Sequence, residues 1–178
     1  MKHISTAFLI ALPFLASCAD ANPTSPEPAL TVGRSTSVAH LGGSVRPAGG
    51  SCDTDITTLP PLAGDPANVL RLHIDFVCQL RHLGRTTASV EQVVVFTGPT
   101  TATASNTGTY TAANGDQLFA TWTGTATMNG PAITFSGPET IAGGTGRFTN
   151  ASGATWVEGT ASFVTSTGQF TSVGTLSY

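Results

Sequence analysis

Leu70-Arg71-Leu72-His73-Ile74-Asp75-Phe76-Val77-Cys78-Gln79-Leu80 is the stretch on which the fold turns. Leu70, Leu72, Ile74, Phe76, Cys78 and Leu80 share one parity. Arg71, His73, Asp75 and Gln79 hold the other, with Val77 the apolar exception. Successive side chains of a strand point to opposite faces, so this period of two marks a half-buried β-strand.

The same pattern recurs downstream. Val90–Phe96 reads as a strand that is apolar on both faces near its end, with Gly84 before it as a bulge or bend. Tyr110 leads into Asn114-Gly115, a strong hairpin-turn signal. From Gln117 to Met128 the residues Leu118, Ala120, Trp122, Ala126 and Met128 alternate with Gln117 and threonines 121, 123, 125 and 127. Asn129-Gly130-Pro131 turns the chain, and a strand begins at Ile133–Phe135. Trp156–Thr165 sets Val157, Ala161 and Phe163 on one side, Ser166-Thr167-Gly168 turns again, and Phe170–Tyr178 closes the domain. No segment past the N-terminal leader sustains a 3.6-residue period. Seven to nine short antiparallel strands predict an all-β barrel or sandwich.

Three segments sharpen this to a barrel: Ala113-Asn114-Gly115-Asp116-Gln117-Leu118, then Ile141-Ala142-Gly143-Gly144-Thr145-Gly146-Arg147-Phe148, then Ala151-Ser152-Gly153. Together they resemble the allene oxide cyclase-like and dirigent-like barrel superfamily, which carries a similar Gly-Gly-Thr-Gly-(x)-Phe turn and a final hairpin. His82-Leu83-Gly84-Arg85 is also similar to a segment of bacterial members. The resemblance spans about residues 70–178. It implies an antiparallel eight-stranded barrel, often oligomeric, whose lumen takes a small apolar ligand. No catalytic residue of the plant cyclases can be matched to this chain, so the resemblance carries over no activity.

The N-terminus points to location. Met1-Lys2-His3 is weakly positive, Ala7–Leu15 is apolar, and Leu15-Ala16-Ser17-Cys18 resembles a bacterial lipoprotein lipobox. The apolar run is shorter than the roughly 20 residues that span a bilayer, and its flanks suit a removable export signal. The resemblance implies a signal peptide over 1–17 and acylation of Cys18, whose three chains would anchor the protein permanently, where one chain binds only marginally. The alternative is an ordinary secretory signal cut elsewhere. Ala19 stands where aspartate often marks inner-membrane retention, which leans the expectation towards the outer membrane, while Asp20 leans against it. Residues 18–33, with Pro23, Pro26 and Pro28, read as an extended tether, and 34–178 as the barrel domain. A terminal Tyr178 after Phe170 and Leu176 superficially suits an outer-membrane barrel, but the threonine-rich strands supply no apolar band with aromatic girdles.

Charge excludes one class of partner. The chain carries seven Lys and Arg against ten Asp and Glu, a net charge of −3. Its single lysine, Lys2, leaves with the leader. No basic stripe remains for phosphate neutralisation, so nucleic-acid binding is not expected. Cys52 and Cys78 remain after acylation of Cys18. In an oxidising compartment they are expected to pair, closing a loop that holds Pro60, Pro61, Gly64 and Pro66; two buried free thiols are the competing possibility. No CxxC or zinc-spaced Cys/His cluster occurs, so neither a metal nor a cofactor is expected.

Candidate chemistry is sparse. Glu91 sits among valines, and if it faced an apolar lumen its raised pKa would suit proton transfer; an outward-facing glutamate is the simpler expectation. His82 falls on the apolar parity, and His73 pairs with Asp75 on one face beside Arg71. Gly143, Gly144 and Gly146 are expected to serve a sharp strand connection, since a phosphate loop needs Gly-Lys-Ser/Thr and a following helix. Neither Gly-x-Ser-x-Gly nor His-Glu-x-x-His is present. Three functions follow, in order. The first is a lipid-anchored barrel binding a small apolar ligand or an envelope partner without chemistry. The second is an isomerase or cyclase acting on a lipid-like substrate in the lumen, with Glu91 or His82 moving a proton. The third is a structural envelope lipoprotein. The state of the barrel interior separates them: an open pocket favours the first two, a filled one the third.

Overall fold

The computed structural model describes residues 44–178, which form a closed barrel of eight antiparallel strands in sequence order. The strands are β1 (Val45–Leu59), β2 (Val69–Leu80), β3 (Gly84–Phe96), β4 (Thr101–Ala112), β5 (Gln117–Asn129), β6 (Ala132–Gly144), β7 (Ser152–Ser162) and β8 (Thr167–Ser177). Each pairs with its neighbour in sequence, and β8 closes the ring on β1 from Val45↔Ser177 to Asp55↔Thr167. Closure leaves no free sheet edge among the described residues. Cys18 and the proline-rich tether, residues 18–33, lie outside the described residues.

Alternation decides which side chains fill the lumen. Even positions of β2, β4 and β5 point in, including Leu72, Ile74, Phe76, Ala102, Ala104, Tyr110, Leu118, Ala120 and Trp122. Odd positions of β6 and β7 complete the core with Ile133, Ile141 and Val157. Outside, threonines face one another across β4 and β5 at Thr101↔Thr127, Thr103↔Thr125 and Thr107↔Thr121. Such half-polar strands suit a sheet with one wet face.

Two features depart from the sequence expectations. β1 had no counterpart among them. It holds Pro47, Gly49 and Gly50, residues that weaken a strand signal. They fit here because the carbonyl of Ser172 lies where a Cβ of Gly49 would sit, and that of Gln79 likewise at Gly50. His82 is the second departure. Parity carried past Leu80 would send it inward, but the chain reverses over 81–83. His82 takes a positive φ of 68° and is exposed in that turn.

The Cys52–Cys78 disulfide is present and both cysteines are buried. It joins directly opposed residues of β1 and β2, so it staples two paired strands as well as closing the β1–β2 loop.

The two ends of the barrel differ. At one end the connection from β6 to β7 makes a single 3-10 turn, Gly146–Phe148, and drives Phe148 into the barrel with no exposed surface. Tyr178 packs on it, ring centroids 4.9 Å apart. Arg147 lies over the Phe148 ring, reaches Asp116 at 3.5 Å and donates a hydrogen bond to the carbonyl of His82. His82 Nε2 lies 3.0 Å from the carbonyl oxygen of Pro47. Gly146 has a φ of +55°, and the Asp116 carboxylate fills the place of any side chain there. The other end carries the β1–β2 loop and the tight turns after β3, β5 and β7, and no such plug is found there among the described residues.

Candidate functional site

A cavity of about 90 Å³ runs inward from the unplugged end. Phe96, Met128, Ile133, Ala161 and Phe163 line its outer part. A ring of aromatics forms its waist: Phe76 packs edge-on against Phe170 at 5.5 Å, and Trp122 against Phe135 at 6.0 Å. Edge-to-face contacts of this kind fix ring orientation beyond simple burial. Trp122 Nε1 donates to the carbonyl of Gly137 at 3.2 Å, so the indole is satisfied without using the lumen.

Deep in this lumen stands Glu139 of β6, only 7% exposed. Tyr110 of β4 donates its hydroxyl to Glu139 Oε1 at 2.8 Å. Thr155, directly opposite on β7, donates to Oε2 at 2.7 Å. Both carboxyl oxygens therefore accept a hydrogen bond, and further acceptor positions remain on them. Burial, then the Glu139 charge and the hydrogen bond to it, push the Tyr110 phenol well above its usual range, so Tyr110 remains a donor. None of the ion pairs among the described residues involves Glu139. Nearer the middle, Asn106 Nδ2 donates to Gln92 Oε1 at 3.0 Å, and both residues line the cavity. Buried polar side-chain atoms are all partnered among the described residues.

A clamp holds the β1–β2 loop at the same end of the barrel. Arg71 grips Asp65 of the β1–β2 loop through Nε at 2.8 Å and Nη2 at 2.9 Å. The Leu62 backbone N–H adds a third bond to the same carboxylate at 2.8 Å. The Arg71 hydrogen bonds first, and the Leu62 N–H second, hold the Asp65 carboxyl down to about 2.

The residues singled out from the sequence fall elsewhere. Glu91 is exposed on the outer face of β3, opposite His73 of β2, so the apolar burial that would tune it for proton transfer is not there. His73 and Asp75 also lie outside, 3.5 Å apart. His82 belongs to the plugged end, remote from the cavity lining. Gly143 and Gly146 take positive φ at the β6–β7 connection, and Gly144 lies against the Gln117 carbonyl where no Cβ fits.

Sequence reasoning missed the trio at the cavity floor. One signal was available. Along Ile133-Thr134-Phe135-Ser136-Gly137-Pro138-Glu139-Thr140-Ile141, Glu139 shares its parity with Ile133, Phe135 and Ile141. An acid on the apolar parity of a strand is a buried acid, provided the strand runs unbroken through Gly137-Pro138, as β6 does. Tyr110 and Thr155 carried no comparable signal, because their roles arise only when β4, β6 and β7 come together across the lumen.

No family model matches the chain, and comparison with curated proteins and with solved structures finds no match.

Proposed function

We propose that this protein is a lipid-anchored barrel of the bacterial envelope, of the allene oxide cyclase-like kind its turns resemble, and that it takes a small apolar ligand into its lumen. The cavity is the observation that carries this. About 90 Å³ of space lies behind an open mouth, lined mostly by apolar side chains, with the Asn106–Gln92 pair and the hydrogen-bonded Tyr110 and Glu139 among them. Pre-formed apolar concavities with a few convergent polar groups are the common form of ligand sites. Unfilled core space is costly: at ~24 cal/mol per Å³, a void of this size forgoes about 2 kcal/mol. A barrel with a purely structural role would gain by filling it. The leader and tether support the envelope location, and the low charge of the chain supports an apolar rather than a nucleic-acid partner.

Xenon is a suitable probe of the lumen, because it enters dry apolar cavities without needing a polar partner. In methyl-detected NMR of the full chain, xenon is expected to shift Ile74, Val94 and Ile133, which line the cavity. Ala104→Phe, which fills the lumen, is expected to abolish those shifts. If neither xenon nor hexanol perturbs the wild-type lumen methyls, lumen binding is refuted.

The same trio favours a second reading, proton transfer on a bound substrate. Glu139 is a buried base held by Tyr110 and Thr155, and it lies on the cavity wall. An isomerase or cyclase activity of this protein would be lost in Glu139→Gln and kept in Glu91→Gln.

A further inference from the structure

Glu139 is the single charged residue on the cavity wall among the described residues. The lining contains no Arg, Lys or His and no second acid. A ligand that enters therefore meets one acidic group at the floor, the neutral Asn106–Gln92 pair and Thr54 along the wall, and apolar surface elsewhere. The carboxylate has about four lone-pair positions, and Tyr110 and Thr155 occupy one on each oxygen. What remains on offer is acceptor capacity. Tyr110 and Thr155 have committed their hydroxyl protons to Glu139, so neither has a donor left for a ligand.

We infer that the lumen selects slender apolar molecules ending in a protonated amine, with the ammonium seated on Glu139, and that it rejects carboxylates of the same length. This rests on the lumen-binding function proposed above and narrows its ligand class. Three physical points support it. The desolvation of Glu139 has already occurred on folding, since the side chain is buried with or without a ligand; only the ammonium must shed water on binding. Its charge then meets an opposite charge that no other cation among the described residues neutralises. In a low-dielectric site that attraction is far stronger than in water. A carboxylate would instead lose its hydration and face a like charge at the floor, with no cation on the wall to offset it. The size of the space also selects. A cavity of about 150 Å³ accepts benzene, so about 90 Å³ takes only part of a ligand, and a slender chain can seat its end at the floor while its tail extends into the open mouth.

The test is isothermal titration calorimetry of the full chain at neutral pH with n-hexylamine, hexanol and hexanoate, three probes of matched length that differ in the terminal group. Hexylamine is expected to bind at least about tenfold more tightly than hexanol, which corresponds to ~1.4 kcal/mol, with hexanoate weakest. Glu139→Gln, nearly isosteric, is expected to bring hexylamine and hexanol within about twofold while hexanol keeps its wild-type affinity. The wild-type ranking needs no variant, so the inference remains exposed even if Glu139→Gln folds poorly. Equal binding of hexylamine and hexanol, or hexanoate binding as tightly as hexylamine, overturns the amine preference and leaves lumen binding standing. An unchanged ranking in Glu139→Gln also overturns it. Failure of all three probes, with no response to xenon, removes lumen binding and the amine preference together.

Discussion

A buried, hydrogen-bonded acid without a counter-ion is a poor way to stabilise a β-barrel. Glu139 gave up its hydration on folding and regained two hydrogen bonds, from Tyr110 and Thr155. Replacing one member alone strands the others: Glu139→Met leaves two hydroxyls unpaired, at about 1–3 kcal/mol for each buried group without a partner. Replacing all three removes the polar demand entirely. Tyr110→Phe with Glu139→Met and Thr155→Val keeps volume while making the floor apolar. Buried ionic clusters exchanged for well-packed apolar groups often gain about 1–4 kcal/mol. The triple variant is therefore expected to unfold at higher urea than wild type, and Glu139→Met alone at lower urea. A triple variant less stable than the single would mean that the trio holds the barrel together instead of serving its lumen. Glu139 was legible in the sequence through its parity with Phe135 and Ile141. Its partners were not, because parity says which face a side chain takes and nothing about the neighbour it meets across a lumen.

At the scale of the strand, sequence pattern was most informative where large apolar residues alternate with polar ones. β2 and β5 do this throughout, and their spans follow the alternation closely. β1 does not. Its inward positions include Ala48, Gly50 and Thr54, so the contrast between its faces is small, and Pro47 and Gly49 read as loop. β1 is nevertheless the strand that closes the barrel, paired to β2 on one side and β8 on the other. A strand with weak intrinsic preference in so central a place needs a tie, and the Cys52–Cys78 bridge supplies it by joining β1 to β2 at mid-strand. With the cysteines 26 residues apart in sequence, chain entropy assigns the bridge about 3.5 kcal/mol. Cys52→Ala with Cys78→Ala is expected to lower unfolding stability by about that amount in urea titrations. Because β1 depends on the bridge, its amides are expected to lose hydrogen-exchange protection before those of β5. A uniform loss of protection across all strands would show that the bridge stabilises the barrel globally and not through β1.

The whole molecule is a barrel with a direction. Ser44 leads into β1 beside Tyr178, so the described chain both enters and leaves at the plugged end, where Phe148 is sealed by Tyr178 and Arg147. The lumen opens at the opposite end, among Phe96, Met128, Ala161 and Phe163, with the Asp65–Arg71 clamp holding the loop beside it. Plug and mouth should therefore respond differently to substitution. Phe148 is fully buried, and its truncation to alanine removes a large packed side chain from the end that joins β6 to β7. Phe→Ala in a core costs about 3–5 kcal/mol, so Phe148→Ala is expected to shift the unfolding midpoint strongly. Ala161 lies at the edge of the open space, where an added ring has room to turn towards solvent. Ala161→Trp is expected to leave stability within about 1 kcal/mol of wild type, as volume added outside a close-packed region creates little strain. The same substitution obstructs the mouth and is expected to slow hexylamine association by roughly tenfold or more, since binding must then await a rearrangement of the new ring. Stopped-flow titration followed through Trp122, which lies on the cavity wall, reads the association rate directly. The signal of the introduced indole is subtracted with an Ala161→Trp, Trp122→Phe control. Unchanged association in Ala161→Trp would mean that ligands reach Glu139 by another route, and the plugged end would then be the place to look for it.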